Sequence, residues 1–171
     1  EREVGLAAGE PPTAKGYPPS VFALLPQLLE RAGGLRRGGG ITALYTVLVE
    51  GDDHNEPVAD AVRAILDGHI VLSRDLAAAN HYPAIDVLQS VSRTMPDVTT
   101  EDHRRKAAQL REWMATIRGA EDLVNVGAYV PGSNARVDRA LAKRDAIAEF
   151  LRQHADDLCG LEPALEALKR V

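Results

Sequence analysis

The sequence predicts a chain in two parts: an α/β region, then a bundle of helices. Three observations predict it. Up to about Pro96, short apolar β-rich runs alternate with amphipathic segments of helix length. After it, apolar residues recur only at helical spacing. Hydrophobic residues make up 45% and charged residues 26% of the 171, the balance of a soluble globular protein long enough to bury a core. The boundary is therefore set near residue 96, giving parts 1–96 and 97–171.

The elements follow in order. Glu1 to Leu6 has helical character without a cap or start signal, so the sequence is expected to continue a longer protein. GEPPTAKGYPP (9–19) is a stiff loop, because its prolines forbid helix and ladder alike. Pro18 and Pro19 suit the first turn of a helix through Arg31, with Val21, Leu24, Leu25, Leu28 and Leu29 on its apolar side. A glycine-rich connection leads to ITALYTVLVE (41–50), too apolar for a half-exposed strand and so predicted in the middle of a covered parallel sheet. GDDHNEP is a polar turn, and Pro57 opens a helix carrying Val58, Val62, Ile65 and Leu66. Residues 69–72 read as a strand, 75–79 as a short helix and 84–88 as a third strand. Thr99 with Asp102 then makes a capping pattern before a helix with Leu110, Trp113, Met114 and Ile117. PGSN (131–134) breaks the chain and caps a helix with Val137, Leu141, Arg144, Ile147 and Leu151, and a last helix covers Pro163 to Arg170.

Several function classes are excluded. A net charge of −5 provides no basic footprint for nucleic acid. No apolar run approaches the roughly 18 residues of a spanning helix. The single cysteine, Cys159, allows no internal disulfide and suits a reducing cytoplasm. Neither glycine-rich stretch is a phosphate loop: that motif requires G-x-x-x-x-G-K-[ST], but Lys15-Gly16 has the reverse order and no lysine follows Gly38 to Gly40. Asp52, Asp53, His54 and Glu56 are metal-type ligands, although such close spacing on a loop is commonly a solvated turn. No serine sits in a nucleophile elbow, and Cys159 has no catalytic signature. Residue types and spacings alone leave no complete active site.

REVGLAAGEPPTAKGYPPSVFALLPQLLERAG, TALYTVLVEGDDHNEPVAD, ILDGHIVLSRDLAAANHYPAIDVLQSVSRTM and DLVNVGAYVPGSN, in this order, resemble the rotary-type ATPase of flagellar and type III protein export. That family is homologous to the catalytic β subunit of F-type ATP synthase. The resemblance implies the C-terminal part of an α/β P-loop NTPase (RecA-like) core with parallel strands, followed by an α-helical C-terminal domain. It implies that the chain picks up just after the Walker B aspartate, so that the Mg ligands and the phosphate cradle are expected in the missing N-terminal part. The nucleotide it implies is ATP/ADP.

By position, the resemblance makes Tyr82 the aromatic that stacks on adenine and Phe150 a second aromatic of the same pocket. After Phe150, LRQHADDL lacks the further aromatic of the synthase. Arg93 matches an arginine finger that reaches the neighbouring subunit's site. The plainer alternatives are a tyrosine and a phenylalanine serving the core and an arginine in a surface salt bridge. Asp52, Asp53 and Glu56 fall on the loop that catches the rotor, and so are expected to contact a coiled-coil stalk protein in the central pore. A homo-hexamer is implied, together with the export apparatus and chaperone–substrate complexes as partners. The expected place is the bacterial cytoplasm, peripheral to the membrane at most. Gly40 stands where the family has Ser in G-S-I-T-A, and Ala135 replaces a common proline. The virulence secretion branch remains an alternative to the flagellar one, as does a non-hydrolytic interaction module.

Overall fold

A computed structural model describes residues 1–171, which divide into two compact units, Glu1–Asp67 and Gly68–Val171. In the first unit, helix α1 (Arg2–Ala7) lies against the start of helix α2 (Pro19–Leu29). Gly5 permits the approach, since a Cβ there would stand 2.7 Å from both the Pro18 ring and the Ser20 hydroxyl. The intervening proline-rich loop is ordered by its own polar groups. The Glu10 carboxylate accepts from the Ser20 N–H at 3.0 Å, and the Thr13 hydroxyl donates to the Tyr17 carbonyl at 2.6 Å. Helix α2 stops at Leu29, two residues short of the expected end, because the chain turns at once into the Gly33–Gly34 strand.

Strands β1 (Gly33–Gly34) and β2 (Gly40–Ile41) form an antiparallel pair. Only Ile41 of the run expected as a central parallel strand is paired in this way, and the residues through Val49 have no sheet partner. Leu44 and Leu48 are about nine-tenths exposed, at 91% and 89%. A strand of this composition calls for neighbours along both edges, and these 171 residues supply none beyond β1. Helix α3 (Pro57–Ile65) packs on α2 and buries Ala59 and Val62.

In the second unit the other two expected strands are also reduced. Strand β3 (Gly68–His69) pairs antiparallel with β4 (Val91–Ser92), and a single antiparallel bridge joins Leu72 to Ile85. Between them lies the short helix α4 (Arg74–Ala78). After α5 (Met95–Val98) the helical elements follow the periodicity: α6 (Glu101–Asn125), α7 (Ala135–Leu151) and α8 (Leu161–Arg170). Thr100, not Thr99, caps α6, accepting from the His103 N–H at 3.3 Å, while the Thr99 hydroxyl donates to the Met95 carbonyl. The Asn134 side chain caps α7, accepting from the Arg136 and Val137 N–H groups.

Helices α6 and α7 pack along Leu110, Ala120, Ala140 and Ile147, with Ala140 fully buried. Trp113, expected in the core, is half-buried, with the Lys143 ammonium 5.4 Å from its ring centre. The loop between α6 and α7 is tied to α7 itself. Asp138 accepts from the Tyr129 hydroxyl at 2.9 Å through one oxygen and from the Gly132 N–H at 3.0 Å through the other. Within this second unit α6 grips residues of the segment before it with arginine side chains, reaching Asp86, Val87 and Pro96.

Candidate functional site

The segment 73–93 is built around local hydrogen bonds that set its path. The Ser73 hydroxyl caps α4 by accepting from the Leu76 N–H, and the Ser73 N–H donates to the Ala84 carbonyl at 2.8 Å. The left-handed Asn80 (φ 54°) turns the chain, and the His81 N–H returns to the Leu76 carbonyl at 2.8 Å. This leaves the Tyr82 side chain 53% exposed, enough for a ring face to meet a flat ligand. The Tyr82 carbonyl accepts from the Gln153 N–H at 2.9 Å, which brings the segment beside the end of α7, where Phe150 sits half-buried. Burial, and then the nearby Arg152 charge, lower the His81 pKa and favour the neutral imidazole.

Downstream, the chain folds over the buried carboxylate of Asp86, which is 5% exposed. One oxygen accepts from the Leu88 and Gln89 N–H groups at 2.9 and 3.1 Å, the other from the Gln89 side-chain amide at 2.9 Å. The Arg118 guanidinium reaches both oxygens at 3.1 and 3.0 Å. Burial alone would raise the Asp86 pKa, but the Gln89 bonds and then Arg118 outweigh it and hold the carboxyl below its ordinary range. The Ser90 hydroxyl continues the network, donating to the Asp86 carbonyl at 2.7 Å and accepting from the Val71 N–H at 3.0 Å. Arg93 follows directly on β4, with its side chain exposed. A Cβ at Gly68 would stand 2.6 Å from the Val91 carbonyl, so only glycine lets β3 approach β4 this closely.

The acidic loop belongs to the first unit. Asp53 accepts from Lys15 at 3.3 Å, which joins this loop to the proline-rich one, and from the Asn55 N–H at 3.1 Å. Asp52, in a left-handed conformation (φ 58°), is exposed as well. Glu56 corrects the expectation of a third surface acid. It sits at the N-cap of α3 and is 6% exposed, because the start of that helix packs inward.

The structure thus brings Tyr82 and Phe150 onto adjoining segments and sets Arg93 eleven residues beyond Tyr82 in the same unit. An exposed aromatic can stack on a base and an exposed guanidinium can neutralise phosphate charge. No G-x-x-x-x-G-K-[ST] occurs in the 171 residues, so the groups present fit the base and the transferring phosphoryl rather than a phosphate cradle or a magnesium ligand set. Sequence reasoning missed Asp86, Arg104, Arg111 and Arg118. The available signal was the seven-residue spacing of the three arginines, which places them on one stripe of α6.

The family model for the nucleotide-binding domain of the ATP synthase alpha/beta family matches residues 1–92, and that for the T3SS EscN ATPase C-terminal domain matches residues 99–170. The flagellum-specific ATP synthase of Bacillus subtilis is 53% identical over 98% of the chain, and the type 3 secretion system ATPase of Xanthomonas euvesicatoria 54% over 100%. The chain spans 38% of the length of each of these two relatives. Among solved structures, the assembled ATPase EscN of the enteropathogenic E. coli type III secretion system superposes with a TM-score of 0.94 at 48% identity, covering 99% of this chain and 41% of that one. EscN in complex with its central stalk EscO gives 0.86 at 46% identity, over 99% of this chain and 40% of that one. The fold is therefore the C-terminal part of an ATP synthase-like P-loop ATPase, and the chain belongs to the ATP synthase alpha/beta family.

Proposed function

We propose that these residues are the C-terminal part of a type III protein export ATPase, flagellar or virulence-type, which hydrolyses ATP as a homo-hexameric ring in the bacterial cytoplasm. The observation that carries the reading is the single segment with an exposed ring at Tyr82 and an exposed guanidinium at Arg93, held in one compact unit. Tyr82, with Phe150 beside it, stacks on the adenine of the subunit's own nucleotide. Arg93 extends to the nucleotide of the adjacent subunit and offsets charge on the transferring phosphoryl group, a role worth about 10³–10⁵ in rate. Magnesium, for which these residues offer no ligand cluster, would supply charge neutralisation at the phosphates.

Asp52 and Asp53 contact a coiled-coil stalk in the central pore, and the solved complex of EscN with its central stalk EscO supports a partner of this kind. The nucleotide-binding and helical modules meet near residue 96. The export apparatus and chaperone–substrate complexes are the further partners.

The test uses the intact protein. Arg93→Ala should lower kcat far more than it weakens ATP binding, because the charge is felt mainly in the transition state. An Arg93→Ala subunit with its own P-loop intact should regain turnover when co-assembled with a subunit carrying Arg93 and a dead P-loop. Wild-type kcat in Arg93→Ala, or mixed hexamers no faster than either mutant alone, would refute the trans role.

A further inference from the structure

We propose that Arg111 and Arg118, with Arg104 on the same stripe of α6, are positioning residues that mount Arg93 on the helical unit. The inference rests on the reading of Arg93 as a finger for the neighbouring subunit.

The three arginines recur every seven residues. Seven residues return to nearly the same helix face, about 20° off, and advance about 10.5 Å, so the stripe runs straight along α6. All three side chains reach back to the chain on either side of Arg93. Arg118 grips both oxygens of Asp86 at 3.1 and 3.0 Å. Arg111 donates to the carbonyls of Val87, of Leu88 at 3.2 Å and of Ser90 at 3.2 Å. Arg104 donates to the carbonyl of Pro96 at 2.8 Å and to that of Thr99. Arg93 lies between these two sets of holds and is itself exposed.

The chemistry of the contacts says what they fix. Those of Arg104 and Arg111 go to backbone carbonyls, so they set the course of the main chain whatever side chains it carries. Besides local hydrogen bonds such as that of the Val71 N–H to the Ser90 hydroxyl, this segment is paired only through β4, two residues with two, and so short a ladder holds little by itself. A planar guanidinium with several fixed donors can bridge two or three carbonyls at once, whereas a lysine ammonium is a point charge on a flexible stem. Catalytic groups are sensitive to such placement: a misplacement of about 1 Å can cost about 10²-fold in rate. A finger that must cross to another subunit is aimed by the course of its backbone, and α6 holds that backbone on either side. Any displacement of α6 would carry Arg93 with it.

The experiment is a double-mutant cycle on the intact hexamer, with kcat and KM for ATP measured for Arg111→Lys, Arg118→Lys, Arg93→Ala and the combinations with Arg93→Ala. Each lysine variant should lower kcat by about tenfold or more with KM within about twofold, and should form hexamers as the wild type does. In the Arg93→Ala background, the same lysine variants should cause little further loss, since a misplaced finger and an absent one are equivalent. Two results would overturn the proposal while leaving Arg93 its role: wild-type kcat in both lysine variants, or losses that multiply fully in the Arg93→Ala background. The second result would mean that the arginines serve the fold alone. Wild-type kcat in Arg93→Ala would instead sink the parent reading, and the mounting with it. Should Arg118→Lys fail to assemble, Arg111→Lys carries the test alone, because it leaves the Asp86 ion pair in place.

Discussion

Asp86→Asn isolates one charge at the centre of the network that shapes residues 86–90. The substitution keeps the shape and one acceptor oxygen, so the Leu88 and Gln89 N–H bonds can survive. It sets an amide N–H₂ where the other oxygen now accepts from the Gln89 amide and Arg118, so those two bonds are lost. Hydrogen bonds to a charged group contribute about 1.5–3 kcal/mol each. The Arg118 side chain is 51% exposed and can rehydrate, so its bond belongs at or below the lower limit. A total near 2–3 kcal/mol is expected, and at about 2–4 °C per kcal/mol for a domain of this size the melting temperature should fall by about 4–12 °C.

The pH dependence gives the sign. The folded pKa of Asp86 is lowered, so its carboxylate stabilises the fold above the unfolded value of about 3.9, and this contribution is lost as pH falls through the lower folded value. The gap between wild type and Asp86→Asn should be constant from pH 7 to about 5 and then close on further acidification. Urea unfolding of the 171-residue chain, followed through the single tryptophan, Trp113 on α6, reads it at each pH. Curves that stay parallel down to pH 3 would show that the Asp86 charge contributes nothing to the folded state.

Gly68→Ala should destabilise the second unit by about 1–3 kcal/mol, because a methyl 2.6 Å from the Val91 carbonyl forces β3 and β4 apart; urea unfolding reads the change. Tyr82→Ala in the intact protein should weaken ATP binding roughly tenfold or more with a smaller effect on kcat, since stacking contributes about 1–3 kcal/mol; equilibrium binding of a fluorescent nucleotide checks it. The 171-residue chain by itself should release no phosphate from ATP, having no G-x-x-x-x-G-K-[ST] among its residues, and release that disappears with Arg93→Ala would contradict this. Ile147→Ala, at a position 4% exposed between α6 and α7, should cost about 2–5 kcal/mol, measured by thermal unfolding.

The helices were legible because their signals are local. Pro57 at a first turn, Asn134 as a cap and the apolar stripe through Ile147 each act within a few residues. The cap of α6 lies one residue after the expected Thr99, because the Thr99 hydroxyl is taken up by the Met95 carbonyl and the neighbouring Thr100 accepts from the His103 N–H. The run at 41–50 is apolar as its composition says, but pairing is a property of neighbours, and only Ile41 of the run is paired, with Gly33 of β1. Glu56 is expected at a stalk contact from the resemblance of its loop, but the structure buries it at the start of α3. Tyr82 and Arg93 were reached through a resemblance across long segments, not through their own spacing. The arginine spacing marks a stripe on α6 but not what it grips, because Asp86 and Arg118 are 32 positions apart and nothing in a lone aspartate announces its partner.

The loop between α6 and α7 has a mechanical consequence. Tyr129 and Gly132 are bonded to Asp138, and Asn134 caps the helix that follows, so the turn is stiffened by the helix it introduces. A pulled slack loop first straightens and absorbs the stroke. This one has little length to give up, so a push on the exposed Val130 is delivered to α7 with little lost motion, in the manner of a crank.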